Sequence, residues 1–93
     1  LILTEGMFDL LSLATMHPIL VYESDIVVLN SIAFIPEIKD LLSDYNDILL
    51  FLDNDEAGNA ATEIFLQEYS IAMDCRDEYK GYKDLNEKLI AWN

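Results

Sequence analysis

Three carboxylates follow apolar segments that have the composition of β-strands: Glu5, Asp53 and Asp55. Like charges that are held close together raise one another's pKa unless a cation compensates them. Residues 1–75 contain fourteen acidic side chains and a single basic one, Lys39, which lies in the middle of a predicted helix. We therefore expect a divalent cation to compensate the charge of these carboxylates.

The chemistry of the available ligands indicates which cation this is. Oxygen ligands without His or Cys select Mg²⁺, or Mn²⁺ as a substitute, over zinc. The chain has one His and one Cys, which also excludes a structural zinc site. Asp9, one turn into the first predicted helix, and Glu56 could join the three carboxylates. The residue types thus predict a magnesium site.

The same residues also have an ordinary structural explanation. Asp and Asn directly after a strand form turns and cap helices, and Asp53 and Asp55 precede a predicted helix. A calcium-binding loop that begins at Asp53 is excluded, because its fifth and twelfth positions, Ala57 and Ile64, offer no side-chain oxygen. Capping and metal binding both stay open for the Asp-x-Asp sequence.

The elements that must position these residues follow from the apolar pattern. Strands are predicted at residues 1–4, 26–30, 48–52 and, more weakly, 70–73. Helices are predicted at 8–16, ended by Pro18, then from about Pro36, at about 57–69 and after Asp84. The first helix is expected to bury Phe8, Leu11 and Ala14, and the third to bury Ala57, Ala60, Ala61, Ile64 and Phe65.

Alternating strands and helices predict an α/β fold, a doubly wound parallel sheet of about four strands with helices on both faces. Functional groups in such sheets gather beyond the carboxyl ends of the strands. In the strand order 2-1-3-4, the first and third strands are neighbours, which would bring Glu5 beside Asp53 and Asp55. We interpret residues 1–93 as a single domain excised from a longer protein, because the chain starts in an apolar run without Met.

Three segments resemble the motifs of the Toprim (topoisomerase–primase) domain, in the order that this family has them. They are LILTEGMFD at residues 1–9, LLFLDNDEAG at residues 49–58 and GYKDLNE at residues 81–87. The resemblance covers nearly the whole chain, and it is closest to bacterial-type DNA primases and the primase-like proteins of mobile elements. It implies a Rossmann-like catalytic domain that holds Mg²⁺ against a nucleotide or DNA phosphate.

The resemblance also implies roles for individual residues. Glu5 would be the acid/base or metal-linked carboxylate, and Asp53 and Asp55 would be the metal ligands. Asp9 and Asp84 are second-rank ligand candidates, and Asp84 has the alternative role of a helix N-cap. DNA and nucleotides would be the partners of the full-length protein.

The resemblance leaves more than one function open. The main hypothesis is Mg²⁺-dependent nucleotidyl or phosphodiester chemistry in a primase-like replication protein. The alternatives are a Toprim nuclease that cleaves DNA and, in another class, an inactive interaction module. A working primase of this type also needs a basic template-binding region and usually a zinc module, which this sequence lacks. We therefore expect the isolated chain to be inactive and a flanking basic or zinc-binding domain to complete it.

The overall charge bears on the partners. A net charge of −13 and a pI of about 4.1 argue against autonomous binding to phosphates, which needs a basic face. Lys80 and Lys83 alternate with Tyr79 and Tyr82, and such a patch could contact nucleotides by charge and stacking. Acidic neighbours dilute this patch, so a solvated loop is the favoured interpretation.

Composition excludes other classes of protein. Hydrophobic residues make up 53% of the chain, which argues against disorder. The apolar runs are far shorter than the ~20 residues that span a bilayer, so no membrane association is expected. A single cysteine, Cys75, cannot form an internal disulfide, which fits a cytoplasmic protein.

Overall fold

The sheet has four parallel strands in a computed structural model that describes residues 1–30 and 35–92. The strands are β1 (Ile2–Thr4), β2 (Ile26–Val28), β3 (Ile48–Phe51) and β4 (Ala72–Asp74). Their order is β2-β1-β3-β4. The predicted α/β fold is therefore confirmed, and the observed order is the one in which β1 and β3 are neighbours. In the register of the central pair, Leu3 lies opposite Leu50 and Thr4 opposite Phe51.

The helices of the described residues alternate with the strands. They are α1 (Met7–Met16), α2 (Pro18–Tyr22), α3 (Ile35–Leu42), α4 (Glu56–Glu68) and α5 (Leu85–Trp92), with a 3₁₀ helix at Arg76–Tyr79. No helix within the described ranges is both long and apolar enough to cross a bilayer.

The apolar residues form one core on each face of the sheet. Successive residues of a strand point to opposite faces, so Leu3 and Leu50 enter a core with Phe65 of α4. Ile2 and Phe51 enter the other core. The members of the second core outside the sheet come from α1, the 3₁₀ helix and the start of α5: Leu13, Tyr79 and Leu85. Helices on both faces are thus confirmed, and the sheet lies between two packed layers.

The predicted inner face of α1 is wrong. Phe8 is 70% exposed and Leu11 is 54% exposed, whereas the residues that α1 buries are Asp9, Ser12 and Leu13. The helix is rotated because polar groups of α5 receive Asp9 and Ser12: the Asn86 N–H donates to Asp9 Oδ1, and Ser12 Oγ donates to Asn86 Oδ1. The buried face of α1 therefore carries part of the site described below.

The predicted inner face of α4 is confirmed at Ala61 and Phe65 and wrong at its other three residues. Ala57, Ala60 and Ile64 are exposed, and the buried residues are Gly58, Ala61, Thr62 and Phe65. Gly58 sets this phase, since a Cβ at that position would lie 2.0 Å from the carbonyl oxygen of Asp53. The first turn of α4 therefore packs directly on the backbone that leaves β3.

Two short helices among the described residues were not predicted from the sequence. Pro18 ends α1 as expected, but it also opens α2, where proline suits the first turn because its missing N–H has no helical partner there. The 3₁₀ helix follows β4 and ends at Tyr79, whose side chain is 1% exposed. The buried Tyr79 ring packs this segment onto the second core and brings the chain towards the carboxyl ends of β1 and β3.

Candidate metal centre

A pocket of about 290 Å³ lies beyond the carboxyl ends of the parallel strands. Its lining residues come from the turn after β1, the start of α1, the ends of β2 and β3, and the start of α5: Glu5, Gly6, Phe8, Asp9, Asn30, Asp53, Asp84 and Asn86. Four of these eight residues carry carboxylates and none is Lys or Arg. The pocket therefore concentrates negative charge at the edge of the sheet where ligands bind in such folds.

Three aspartates meet in this pocket. Asp9, Asp53 and Asp84 each offer a carboxylate oxygen, and these oxygens all lie within 4.8 Å of one another. Each residue occupies a fixed position in an element: Asp9 is in the first turn of α1, Asp53 follows β3, and Asp84 precedes α5. Three oxygens at these separations match the donor type that Mg²⁺ and Mn²⁺ accept.

The environment of Asp53 disfavours the charged form of its carboxylate. Burial raises its pKa to about 7, and the charges of Glu5, Asp9 and Asp84 act in the same direction. Its Oδ1 atom is buried and has no hydrogen-bond partner among the described residues. A buried carboxylate oxygen without a donor is costly, so this atom fits a cation ligand.

Asp9 has a similar environment but is better hydrogen-bonded. It is 5% exposed, and burial raises its pKa to about 6, with the charge of Asp84 adding to the effect. The Asn86 N–H donates to Asp9 Oδ1 at 3.3 Å, which partly offsets the cost of its negative charge. A divalent cation bound among these carboxylates would lower their raised pKa values.

The structure places the three first-rank candidates differently. Glu5 lines the pocket, and its Oε1 accepts the backbone N–H of Asp53 at 3.1 Å. Asp55 is the N-cap of α4, and its Oδ1 accepts the N–H of Gly58 at 2.7 Å. The expected convergence at the strand ends thus holds for Glu5 and Asp53, while Asp55 has the capping geometry that its sequence position also allowed.

The second-rank candidates both lie in the pocket. Asp9 and Asp84 complete the group with Asp53. Asp84 has the capping geometry that was its alternative role, because its Oδ1 accepts the Glu87 N–H at 2.8 Å in the first turn of α5. Glu56 is exposed in the first turn of α4. Asn86 and Phe8 line the pocket as well, although no motif in the sequence singled them out.

Asn30 was missed for a reason that the backbone makes clear. It lies at the end of β2 in the left-handed region, at φ 59°, and lines the pocket. Its N–H donates to the Glu5 carbonyl at 2.8 Å. Asn tolerates this conformation better than most residues, and an Asn directly after an apolar run was the available signal.

The remaining candidates do not line the acidic pocket. Lys80 and Lys83 are exposed, and neither side chain lines the pocket. His17 pairs with Glu78, which joins the α1–α2 junction to the 3₁₀ helix. Burial raises the pKa of Cys75 to about 11, so this thiol stays protonated and has no nucleophilic character.

Comparison with known proteins identifies the family. The sequence profile described as Toprim-like matches residues 2–89, which is nearly the full length of the chain. The chain belongs to the Toprim-like family. No curated protein and no solved structure matched it.

Membership has general consequences for this Toprim-like chain. Toprim domains process nucleic acids with the help of metal ions, and they bind Mg²⁺ through acidic residues. The group formed by Asp9, Asp53 and Asp84 supplies acidic residues of the required kind in this fold. The four-stranded parallel sheet agrees with the family.

Proposed function

We propose that this Toprim-like chain binds Mg²⁺ in its acidic pocket and supports nucleotidyl or phosphodiester chemistry in a DNA primase-like replication protein. The observation that carries the proposal is the buried Oδ1 of Asp53, which has no hydrogen-bond partner in the described part of the chain and belongs to a carboxylate beside Asp9 and Asp84. A bound Mg²⁺ would neutralise charge on a phosphate as a bond to phosphorus is made or broken. Mn²⁺ is the expected substitute.

The side chains of the chain itself would hold and orient the ion. Asp9, Asp53 and Asp84 are the proposed ligands, because their oxygens already lie within 4.8 Å of one another. Glu5 accepts the N–H of Asp53, so it fixes the backbone from which Asp53 projects. We keep Glu5 as the proposed acid/base or metal-linked group, since it lines the same pocket.

Asp55 stays a proposed ligand on the strength of its place in the motif. While its Oδ1 caps α4 through Gly58, it can offer only its second oxygen to an ion. Its charge contributes to the raised pKa of Asp53, so it acts on the site electrostatically in either case. A weaker effect of Asp55→Asn than of Asp53→Asn on metal affinity is therefore expected.

The exposed groups around the pocket suit a nucleic-acid substrate. The Phe8 ring is 70% exposed at the pocket lining, and aromatic faces stack on bases of any sequence. Lys80 and Lys83 are exposed on the segment that leads to Asp84, where they could contact phosphates. The net charge of −13 still requires a basic region elsewhere in the full-length protein to bind DNA.

Metal binding is tested by titrating Mg²⁺ into the chain while its amide resonances are recorded. Shifts that saturate at millimolar metal at Asp9, Asp53 and Asp84 would support the site. Asp53→Asn should abolish the saturation, and Asp40→Asn, an exposed residue on α3, should not. No response at the pocket residues would refute the site assignment.

The class of reaction is tested on the full-length protein that contains this chain. Primer synthesis from nucleotides on a single-stranded template, lost in Asp53→Asn, would support the primase-like function. Metal-dependent nicking of DNA without primer synthesis would instead make the chain a Toprim nuclease. Full activity of the Asp53→Asn protein in both assays would leave only the role of an inactive interaction module.

A further inference from the structure

We propose that Asn54, the residue between the two motif aspartates, is a positioning residue that holds Asp84 in the metal site. The inference deepens the proposed function and rests on it. Asp84 lies thirty positions after Asn54 in the chain, and its carboxylate faces Asp9 and Asp53. Something must hold that distant segment against two like charges.

The contacts of Asn54 supply this restraint. Its side-chain Nδ2 donates to the carbonyl oxygen of Tyr82 at 3.0 Å and to that of Tyr79 at 3.3 Å. Its backbone N–H donates to the carbonyl oxygen of Lys83, the residue directly before Asp84. Three hydrogen bonds from one residue therefore fasten the segment 79–83 to the turn that follows β3.

The other side of Asp84 is fastened independently. The Asn86 N–H donates to Asp9 Oδ1, and Ser12 Oγ donates to Asn86 Oδ1. These bonds tie the start of α5 to α1. Asp84 thus lies between two anchors. The Asn54 side chain joins the segment before Asp84 to the turn that carries Asp53, beside the Tyr79 hydroxyl, which donates to the Leu52 carbonyl.

The chemistry of an amide suits this task. Asn54 donates two hydrogen bonds through its side chain without bringing a positive charge to the pocket, so it does not compete with a cation for the carboxylates. A carboxylate at position 54 could not donate to the Tyr79 and Tyr82 carbonyls. Partners that orient metal ligands typically change metal affinity by about 10- to 100-fold when they are mutated.

A double-mutant cycle tests the inference on the full chain. The Mn²⁺ affinity is measured by titration calorimetry for the wild type, Asn54→Ala, Asp84→Asn and the double variant. Asn54→Ala should weaken binding by about tenfold. In the Asp84→Asn background it should have almost no further effect, because the carboxylate on which it acts is gone.

Other results of the cycle would overturn the inference. A full tenfold loss from Asn54→Ala in the Asp84→Asn background would mean that Asn54 acts by another route. Unchanged affinity in Asn54→Ala alone would mean that it does not position a ligand. Asn46→Ala, an exposed loop residue, is the matched control and should bind Mn²⁺ as the wild type does.

A measurement without metal separates this inference from the proposed function. If the wild type itself binds no Mn²⁺, the proposed function fails. The positioning role of Asn54 is then tested by backbone order parameters, which need no metal. In Asn54→Ala, the order parameters of the Lys83 and Asp84 amides should fall from about 0.85 to below about 0.6. Unchanged order parameters at both amides would refute the positioning role whether or not the site binds metal.

Discussion

At the scale of single residues, the carboxylates of the acidic pocket lower the stability of the fold when they are charged. Asp53 and Asp9 have pKa values raised to about 7 and about 6, so burial and mutual repulsion disfavour their charged forms. The folded chain holds these carboxylates together although that costs free energy. A group of like charges held at such a cost is typical of functional sites.

The stability of the metal-free chain should therefore depend on pH. Between about pH 4 and pH 7 the folded state binds more protons at Asp9 and Asp53 than the unfolded state, whose Asp pKa is about 3.9. The free energy of unfolding should fall by about 2 kcal/mol as the pH rises through this window, a value reduced for the solvent in the open pocket. Urea unfolding at successive pH values measures it.

Asp53→Asn provides the check on this prediction. The variant keeps the shape of the side chain and removes the group with the higher pKa, so most of the fall above pH 6 should disappear. Asp40→Asn, which changes the net charge equally on the exposed side of α3, should keep the wild-type profile. A common pH profile for all three proteins would contradict the assignment.

Individual site residues differed in how far the sequence could predict them. Asp53 and Glu5 follow from the ends of apolar runs, and Asp9 from its place one turn into a helix. Asp84 depended on the resemblance to a family, because no local pattern ties it to Asp53. The sequence could not separate capping from metal binding at Asp55, since an Asp between a strand and a helix suits both roles.

At the scale of elements, Gly58 fixes how α4 leaves β3. A Cβ at this position would lie 2.0 Å from the carbonyl oxygen and 2.8 Å from the carbonyl carbon of Asp53. Gly58→Ala must therefore displace the turn, and we expect it to lower the free energy of unfolding by about 3 kcal/mol. Metal affinity should fall with it, because Asp53 moves.

Gly81→Ala is the matched control for Gly58→Ala. Gly81 has φ +92° but open space around the added atom, so the strained backbone alone should cost about 1 kcal/mol. Chemical denaturation of both variants makes the comparison. Equal losses in the two would show that packing against Asp53 is not what requires Gly58.

Tyr79 fastens the 3₁₀ helix to the end of β3. Its hydroxyl donates to the Leu52 carbonyl at 2.6 Å in a buried position, one residue before Asp53. Tyr79→Phe leaves that carbonyl without this donor and should lower the free energy of unfolding by about 1–3 kcal/mol. Tyr22→Phe, on a side chain that is 90% exposed, should change it by less than about 0.5 kcal/mol. Urea unfolding curves of the two variants decide the matter.

The helix faces show where pattern-based prediction stops. On α1, the apolar residues Phe8 and Leu11 were expected inside, but hydrogen bonds to Asn86 turn Asp9 and Ser12 inward. On α4, the close approach of Gly58 to Asp53 fixes the phase. In both cases the contact that decides the orientation joins the helix to another part of the chain, and a hydrophobic period cannot contain that information.

At the scale of the whole molecule, a parallel sheet places the carboxyl ends of all its strands on one edge, and the order β2-β1-β3-β4 makes the strands before Glu5 and Asp53 neighbours. The two packed cores follow from strands that are apolar on both faces. The charge follows the same logic, because four carboxylates meet at that edge without a basic neighbour in the pocket. Cation binding should therefore stabilise the entire fold.

Mg²⁺ should raise the free energy of unfolding at pH 8, where the aspartates are ionised. When free Mg²⁺ is ten times its Kd, the expected gain is about 1.4 kcal/mol. Thermal unfolding in MgCl₂ against NaCl of equal ionic strength measures the specific part. Asp53→Asn should show no difference between the two salts, and an equal gain in the variant would make the effect non-specific screening.

The hydrogen bond between Asn86 and Asp9 spans 77 positions of the chain, and this separation has a kinetic consequence. The two ends of the sequence must come together before the pocket exists, and long-range contacts of this kind are slow to form. A cation that recognises only the assembled pocket has little to bind in a partly folded transition state. Mg²⁺ is therefore expected to slow unfolding while leaving the rate of folding nearly unchanged.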